Sequence, residues 1–398
     1  MKACYIFQLT YPWDIRVEKI MDSLTSKGIE GHIISRNSGL MKRRERVKDN
    51  LYIHRLPAFS NKLINTFVNF PAFFSPFWIN EILQAVRRSN VDLLIIRDLP
   101  LAPAALFVGR LLGIPVLMDM AEDYPEMIRD TWKYRGPGRL DVLIRNPFLL
   151  KRLEKFILPR LDGVLVVSEY SKERIEKLGV ISSRIWVVSN TPRLSEHPIE
   201  YVGIPNEDEI RGKSSFIMLY VGGMEESRGL DVVIKALPEV HKIIPDAKFV
   251  VVGSGTSEAK LKLFAAELGV SQHVHFTGWM DNNYVPSIIK LSDVCIVPHH
   301  VTAHTNTTIP NKIFDYMLQK KPVIVTNSKA MSDIVLSSNC GKVYIHDDWE
   351  DLSRTIIELK DSKVRDRYGL NGYEAVRKRY NWSFDEEELF KAVSELTF

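Results

Sequence analysis

The segment Ile309–Thr326 combines an amphipathic helix with side chains that could bind a charged, hydroxyl-bearing ligand. Its sequence is IPNKIFDYMLQKKPVIVT. Pro310 suits the first turn of a helix, where the remaining unpaired N–H groups attract anions. Lys312 adds a positive charge, and Asp315 follows one turn later, where it can accept hydrogen bonds from hydroxyl groups. A nucleoside diphosphate needs both features; an ordinary helix–strand unit with an exposed lysine is the alternative.

Two α/β domains are predicted to position these side chains. A chain of 398 residues is too long for a single core. Short apolar strands such as Phe216–Val221 alternate with helices, which indicates parallel sheets covered on both faces. The proline-rich segment 196–213 interrupts the alternation and is predicted to be a linker. We therefore predict doubly wound domains at 1–195 and 214–380, with 381–398 crossing back to the first and ligands bound in the cleft between them.

Composition favours a soluble, reduced protein. The hydrophobic content of 45% and charged content of 26% are typical of globular proteins. The net charge of +4 gives no support to a nucleic-acid-binding role. The three cysteines are far apart, which predicts a reduced, cytoplasmic protein. The apolar run at the N-terminus is too short for a signal peptide and predicts a first strand.

One uncharged aromatic segment predicts contact with a membrane. It extends from Leu63 to Asn80 and contains two prolines, which argue against a continuous transmembrane helix. A broken helical hairpin that enters one leaflet fits better, with the basic run 42–48 upstream on the lipid headgroups. We therefore predict a peripheral protein on the cytoplasmic face of the plasma membrane, held through 41–80. A helix pair in the core or between the domains is the alternative, and a basic run is also typical of a solvated face.

An ordered set of motifs covers nearly the whole chain. The second half contains Tyr220–Gly223, Arg228–Leu230, Phe249–Gly255, Val274–Trp279, Ser292–Pro298 and Asp315–Pro322. The first half contains Asp14-x-Arg16-Val17, Asp119-x-x-Glu122, Leu161–Val164, Ser168 and Asn190 after a strand. Together these motifs resemble the retaining, GT-B-fold glycosyltransferases of family 4, which build polysaccharides and lipid-linked glycans.

That resemblance implies two Rossmann-like domains facing an interdomain cleft, with the acceptor on the N-terminal domain and a nucleotide sugar on the C-terminal one. It implies an NDP-sugar-dependent, hexosyltransferase-like enzyme acting on a lipid-linked or other glycan acceptor. Asp315, at the second acid of the family's E-x7-E motif, would hold the ribose hydroxyls. Arg228 and Lys312 would neutralise the leaving diphosphate. The other candidates for donor binding are Gly222, Gly223, Gly278, Trp279, Met280, Thr307, Thr308 and Asn311.

Three positions depart from the family pattern. Gly223 stands where the family has an arginine, and Lys312 could supply the lost charge from the opposite side. Thr307 replaces the first acid of E-x7-E, which leaves the donor sugar open. Ala121 replaces a histidine, as in some subgroups that act on lipid-linked oligosaccharides. Gly222 and Gly223 are expected to allow close approach of the backbone to a ligand, although both could simply form a turn after a strand.

Four residues of the first domain are further candidates. Arg16 could contact the diphosphate or an acceptor phosphate; Asp14 is a candidate for the acceptor at the same place, or could instead cap the following helix. Glu122 or Asp123 could orient the acceptor hydroxyl or take its proton. The enzymes that the chain resembles are thought to let the leaving phosphate accept that proton, in which case no separate base is needed.

No metal or other cofactor is predicted. No Asp-x-Asp stands at a strand end, and the loop with His299, His300 and His304 lacks a rigid spacing. Two other functions remain open, namely a nucleotide-sugar epimerase of the same fold and a non-catalytic homologue that binds a sugar nucleotide. An epimerase would not need the aromatic segment, whereas the changes at Gly223, Thr307 and Ala121 are compatible with lost activity. The oligomeric state stays open.

Overall fold

The computed structural model describes residues 1–12, 14–37, 39–70, 73–138, 141–194, 201–212 and 214–397. The chain divides into two compact units. Unit 1 consists of Met1–Asn190 and Ser383–Phe398, and unit 2 of Thr191–Trp382. The C-terminal helix therefore packs with the N-terminal unit.

Unit 1 is built on an eight-stranded sheet of order β3-β4-β2-β1-β5-β6-β7-β8. Its strands are β1 (Lys2–Thr10), β2 (Glu30–Arg36), β3 (Arg44–Lys48), β4 (Leu51–Arg55), β5 (Leu93–Arg97), β6 (Val116–Met120), β7 (Gly163–Val166) and β8 (Ile185–Val187). Its helices among the described residues are α1 (Ile15–Ser26), α2 (Lys62–Asn69), α3 (Pro76–Ser89), α4 (Ala102–Leu112), α5 (Tyr124–Arg135), α6 (Asp141–Ile144), α7 (Pro147–Ile157), α8 (Glu169–Glu176) and, at the C-terminus, α17 (Trp382–Thr397).

The central strands of unit 1 are apolar because both faces of the sheet are covered. Cys4, Ile6, Leu94 and Ile96 of β1 and β5 are buried in one cluster with residues of α3, α4 and α7. The strand order reverses between β1 and β5, since β2 lies on one side of β1 and β5 on the other. Ligands of open α/β sheets bind near such a reversal, beyond the carboxyl ends of the strands.

The basic run upstream of the aromatic segment forms an edge strand. β3 pairs antiparallel with β4, and all of its residues are exposed. Charged side chains on an edge strand prevent it from pairing with another chain. Much of the run is ion-paired, since Arg43 contacts Glu81 at 2.7 Å and Lys48 contacts Asp22 at 2.6 Å. Fewer cations are therefore available for lipid headgroups than the sequence indicates.

The aromatic segment forms two helices with different surroundings. α3 packs in the core through Trp78 and Ile82, as the core alternative expects. α2 leaves Leu63 and Phe67 on its outer side, 81% and 72% exposed. Residues 71 and 72, which fall in the predicted hairpin, lie outside the described residues. Within the described part of the chain, no helix is both long and apolar enough to span a bilayer.

Unit 2 is built on a six-stranded parallel sheet of order β11-β10-β9-β12-β13-β14. Its strands are β9 (Phe216–Val221), β10 (Ala247–Val252), β11 (Val274–Gly278), β12 (Val294–Val297), β13 (Val323–Thr326) and β14 (Gly341–Tyr344). Its helices among the described residues are α9 (Glu207–Arg211), α10 (Leu230–His241), α11 (Glu258–Glu267), α12 (Val285–Leu291), α13 (Lys312–Leu318), α14 (Lys329–Ser337), α15 (Trp349–Glu358) and α16 (Ser362–Lys378).

Two parts of unit 2 differ from the sequence prediction. The predicted linker 196–213 contains the short helix α9, and Ile210 of that helix is buried in the core of unit 2. Residues 195–200 and 213 lie outside the described residues. α13 begins at Lys312 rather than at Pro310 and has seven residues. So short a helix has a weak dipole, so anion binding there depends on side chains rather than on the helix terminus.

Candidate nucleotide-binding site

Glycines fold the loop that follows β9. Gly222 has a φ of +138°, and its N–H donates to the Val252 carbonyl at 2.8 Å. Gly253 begins the loop that follows β10, and a Cβ atom on it would come within 2.2 Å of the Gly222 oxygen. The loops after β9 and β10 therefore touch through their backbones. Gly223 is exposed, and the nearest atom to a Cβ built there is the Ser254 oxygen at 3.9 Å. The loop therefore presents open backbone at Gly223.

Lys312 extends from the start of α13 toward the same loop. Its Nζ lies 3.9 Å from the ring centre of Tyr220, which is a cation–π contact. A Cβ atom on Gly222 would come within 2.6 Å of this Nζ, so glycine leaves the room that the lysine occupies. The Tyr220 hydroxyl donates to the Gly223 carbonyl at 2.8 Å. β9, its loop and α13 thus meet at the Lys312 side chain.

Arg228 ends a short 3-10 turn farther along the same loop and contacts the residues that follow β12. Its Nη1 is 3.4 Å from Nδ1 of His299. His299 is buried, and its Nε2 has no hydrogen-bond partner among the described residues. Gly229 has a φ of +64°, and a Cβ atom there would come within 2.1 Å of the Pro298 oxygen. Glycine at this position therefore allows the loop to pack on β12 and fixes the location of Arg228.

The charges of Arg228, Lys312 and Asp315 act on one another. Burial and then the charge of Arg228 hold the pKa of Lys312 well below its usual value, and Asp315 opposes this shift. Burial, followed by Lys312 and Arg228, also holds the pKa of His299 well below its usual value, so the imidazole is neutral. Neither Arg228 nor Lys312 forms an ion pair with a carboxylate in the described part of the chain. The cluster is short of negative charge, and a phosphate group would supply it.

The remaining donor-binding candidates lie at the start of α13 or in the loop that precedes it. Asn311 directly precedes the helix and does not cap it with its side chain. Asp315 is partly buried one turn into the helix. The hydroxyls of Thr307 and Thr308 donate to the His304 carbonyl at 3.0 and 3.2 Å. These threonines thus stabilise their own loop, and their oxygens keep lone pairs that can accept a further hydrogen bond.

The turn after β11 is joined to the glycine loops. Gly278 has a φ of +73°, and its carbonyl accepts the N–H of Gly253 at 2.9 Å. Met280 packs against a core cluster of unit 2. Trp279 is 73% exposed, which leaves a large aromatic surface for a ligand. Of the three predicted residues, Gly278 supports the loop, the partly buried Met280 packs against the core and Trp279 is accessible.

Arg16 differs from the sequence expectation of a phosphate contact. It is buried, and its Nε and Nη2 donate to Oδ1 of Asp119 at 2.8 and 2.6 Å. Its Nη1 donates to the Ser189 carbonyl at 3.2 Å, and Tyr5 donates to the other oxygen of Asp119 at 2.5 Å. Arg16 and Tyr5 satisfy most of the hydrogen-bonding capacity of the buried Asp119 carboxylate. Arg16 is therefore a structural residue in this arrangement.

Asp14 adopts the capping alternative. Its side chain accepts the N–H groups of Arg16 and Val17 at 3.0 and 3.1 Å.

Arg97, at the end of β5, contacts Asp98 at 3.2 Å. Asp98 has a φ of +57°, and burial raises its pKa to about 6. This buried group lies at the carboxyl edge of the sheet, where the strand order reverses, and sequence reasoning missed it because no motif marks it.

The two carboxylates after β6 have different surroundings. Asp123 is buried, caps α5 by accepting the N–H of Glu126, and contacts Arg174 at 3.2 Å. Burial raises the pKa of Asp123 to about 6. Glu122 is partly buried, and its charge contributes to the raised pKa of Asp98. Asp123 therefore has a structural role, and Glu122 is the more accessible of the two for an acceptor.

His299 is a further site residue that the sequence alone did not assign to the nucleotide. The sequence treats it only as a possible metal ligand, whereas the structure places it against Arg228. Its position directly after a buried strand is the one available signal. Among the described residues, no group of three or more His, Cys, Asp or Glu side chains is arranged to hold a metal ion.

Comparison with known families identifies the class of protein. A family described as "Glycosyl transferase 4-like domain" matches residues 14–191, and one described as "Glycosyl transferases group 1" matches 205–375. These ranges cover most of unit 1 and most of unit 2. The chain therefore belongs to the GT-B-fold glycosyltransferases of family 4. The predicted family, fold class and enzyme class are confirmed.

Individual relatives are distant. The chain is 23% identical over 251 residues to an uncharacterised glycosyltransferase of Methanocaldococcus jannaschii, covering 63% of this chain and 62% of that one. It is 25% identical over 235 residues to phosphatidyl-myo-inositol mannosyltransferase of Mycobacterium leprae, covering 58% and 59%. The alignments thus span about three fifths of the length of these relatives. Anabaena HepE in complex with UDP and glucose has a similar fold, with a TM-score of 0.72, 14% identity, and coverage of 99% and 100%.

Proposed function

We propose that the chain is a retaining, metal-independent glycosyltransferase that moves a sugar from a nucleoside-diphosphate donor to a lipid-linked glycan acceptor. The observation that carries the proposal is the pair of cations at the end of the unit 2 sheet. Arg228 and Lys312 lie within electrostatic range of each other, beside the open backbone of Gly223. Two cations without a carboxylate ion pair among the described residues favour an anionic ligand, and a diphosphate carries enough negative charge to interact with both.

The chemistry follows from where charge develops. The bond between the anomeric carbon and the diphosphate oxygen breaks, and the acceptor oxygen forms a bond on the same face of the sugar. The acceptor proton passes to the departing phosphate oxygen. Fixed cations stabilise the growing phosphate charge without reorganising, which is the role we assign to Arg228 and Lys312. Because these two side chains supply the positive charge, the scheme needs no metal ion.

The nucleotide donor is supported by position and by likeness. Asp315 lies one turn beyond Lys312, where its carboxylate could accept hydrogen bonds from the ribose hydroxyls. Trp279 offers an exposed ring on which a base could stack. HepE, which shares the fold, binds UDP and glucose. We therefore expect a nucleoside diphosphate sugar as donor.

The test combines nucleotide binding with transfer. Wild-type protein is screened for thermal stabilisation by UDP, GDP and their sugars, and the stabilising donor is then incubated with a lipid-linked glycan. Arg228→Gln and Lys312→Met should abolish most transfer while the protein stays folded, and Lys235→Met is the control. Lys235 also lies over an aromatic ring, that of Trp349, but is exposed on α10. Wild-type transfer rates in both site variants would refute the diphosphate assignment.

We further propose that unit 1 lies on the cytoplasmic face of the plasma membrane. Support comes from α2, whose exposed Leu63 and Phe67 lie one turn apart on one side of the helix. Lys42 and Arg44, which precede α2 in the sequence, are exposed and make no ion pair in the described part of the chain. The mannosyltransferase relative acts, by its name, on a phosphatidylinositol lipid.

Sedimentation with liposomes tests the membrane proposal. The double variant Leu63→Ser, Phe67→Ser should stay in the supernatant when wild-type protein sediments with vesicles containing anionic lipid. Leu263→Ser is the matched control, because Leu263 is 62% exposed on α11 of unit 2. Wild-type protein that never sediments, or a double variant that sediments equally, would contradict it.

A further inference from the structure

His299 is held in place at its backbone and at its ring. Its carbonyl accepts the hydroxyl proton of Thr326 at 2.9 Å, and Thr326 is buried at the end of β13, the strand that pairs with β12. Its ring meets the ring of Tyr220 edge-on, with 6.5 Å between the ring centres. A ring that is held in both ways has a defined direction for each of its two nitrogens.

The contact with Arg228 decides which nitrogen carries the ring proton. Nη1 of Arg228 lies 3.4 Å from Nδ1 of His299. A guanidinium group only donates hydrogen bonds, so Nδ1 is the acceptor and lacks a proton. A neutral imidazole then carries its proton on Nε2. Burial, followed by the charges of Lys312 and Arg228, holds the pKa of His299 well below its usual value, which agrees with a neutral ring.

This tautomer leaves a buried donor without an acceptor. Nε2 of His299 is enclosed and has no hydrogen-bond partner among the described residues. Burial of an N–H group without an acceptor is unfavourable. The other tautomer would place a proton at Nδ1 against the guanidinium of Arg228, so the ring cannot avoid this cost by moving its proton. An apolar side chain would avoid it, and packing alone therefore does not account for a histidine here.

The acceptor at Nδ1 restricts the guanidinium of Arg228. Arg228 is only partly buried and makes no ion pair with a carboxylate in the described part of the chain. A long side chain without any such contact would sample several rotamers. The close packing of Gly229 fixes the backbone next to Arg228, and His299 fixes its charged end. A cation that is oriented in advance stabilises developing phosphate charge without reorganising.

We infer that His299 is a positioning residue of the phosphate site, whose unprotonated Nδ1 orients the Arg228 guanidinium toward the departing diphosphate. The inference rests on the proposed function, because it explains how one of the two proposed phosphate contacts is held. Tyr220 contacts both His299 and Lys312, so one aromatic ring connects the supports of the two cations.

Substitutions at position 299 separate the acceptor from the ring. His299→Phe keeps an aromatic ring and removes both nitrogens. It should raise the Kd for UDP, or for GDP if that binds tighter, by about 3- to 10-fold, as expected for loss of one orienting hydrogen bond. Turnover should fall by a larger factor, because the phosphate charge grows in the transition state. The midpoint of chemical denaturation should stay the same or rise, because the unsatisfied donor is gone.

A conservative variant should restore the site. His299→Asn places an amide oxygen close to the position of Nδ1, and its Kd should lie within about threefold of the wild-type value. His299→Leu is a smaller apolar variant that replaces His299→Phe if the phenylalanine does not fit. An equal loss of affinity in His299→Asn and in the apolar variant would overturn the inference, because the acceptor atom would then not matter.

Two further proteins control for indirect effects. His241 also contacts a second imidazole, that of His273 at 4.0 Å, and its Nε2 lies 3.0 Å from the Ala247 carbonyl. His241→Phe should leave the Kd for nucleotide unchanged. In the Arg228→Gln background, His299→Phe should cause no further loss of affinity or turnover. An additive loss would overturn the inference, because His299 would then act independently of Arg228.

The remaining outcomes distinguish the inference from the proposed function. If Arg228→Gln weakens nucleotide binding while folded His299→Phe and His299→Leu bind and turn over as the wild type does, the inference alone is refuted. A lowered denaturation midpoint in both apolar variants, together with the loss of affinity, would also refute it, since the histidine would then be a structural residue. Wild-type affinity in Arg228→Gln would refute the phosphate assignment of the proposed function, and the inference with it.

Discussion

Replacing Lys312 by methionine separates a ligand-binding role from a structural one. The substitution keeps the unbranched stem and removes the charge. Because burial and then the charge of Arg228 lower the pKa of Lys312, holding the ammonium form costs more in the folded protein than in the unfolded chain. Methionine removes that cost and also loses the cation–π contact with Tyr220, which contributes about 0.5–2 kcal/mol. We expect the free energy of unfolding to change by less than about 1 kcal/mol or to increase.

The same substitution should strongly weaken nucleotide binding. A hydrogen bond to a charged group contributes roughly 1.5–3 kcal/mol. At 1.4 kcal/mol per factor of ten, its loss raises the Kd for a nucleoside diphosphate by about 10- to 150-fold. Calorimetric titration with UDP or GDP measures the affinity, and chemical denaturation of the free protein measures the stability. Lys235→Met is the control for both.

The opposite combination would refute the reasoning. If Lys312→Met lost more than about 2 kcal/mol of stability and bound nucleotide as tightly as the wild type, the lysine would be a structural residue. Its position over Tyr220 and beside Gly222 would then reflect packing alone. Loss of affinity with retained stability is the result that the site requires.

Three further outcomes are expected. Gly229→Ala should lower the free energy of unfolding by about 2–4 kcal/mol, because the new Cβ atom would meet the Pro298 oxygen. The control is Gly269→Ala, which has a similar φ of +69° but no atom within 4 Å of a Cβ, and it should cost only about 1–2 kcal/mol. Equal losses of stability in the two variants would contradict the close packing at Gly229. Because burial raises the pKa of Asp98 to about 6, the folded state holds a proton that the unfolded state releases, so stability should fall as pH rises from about 4 to about 6, by up to about 3 kcal/mol. Asp98→Asn should remove the contribution of Asp98 and leave that of Asp123, whose pKa burial also raises to about 6; an unchanged pH profile of stability would contradict the assignment. Asp315→Asn should weaken binding of UDP but not of inorganic pyrophosphate, because only UDP carries ribose. An equal loss of affinity for both ligands would refute the assignment of Asp315 to the ribose hydroxyls.

The regular elements were predictable where burial imposes a clear pattern. β9 and β12 have the predicted bounds because each is an apolar run between helices, which only a buried parallel strand accommodates. β3 was not predicted, since Arg44–Lys48 is a charged run without an apolar face. It becomes a strand only because β4 offers it an edge. That pairing is a tertiary contact which no local pattern reveals.

The candidate site shows the same division. Arg228 and Lys312 were predicted as one cationic group, and the structure places them within electrostatic range. Arg16 was expected at a ligand, but its partner Asp119 lies 103 positions away in sequence. A charged residue is functional or structural according to whether a counter-ion reaches it, and that depends on contacts between distant strands.

A structure of the protein with a bound nucleoside diphosphate tests the central claim most directly. The two cations of unit 2 should then lie about 2.7–3.0 Å from oxygens of the β-phosphate, with Asp315 on the ribose. Density for the nucleotide elsewhere on the protein, with Arg228 and Lys312 both left without a phosphate contact, would contradict the account.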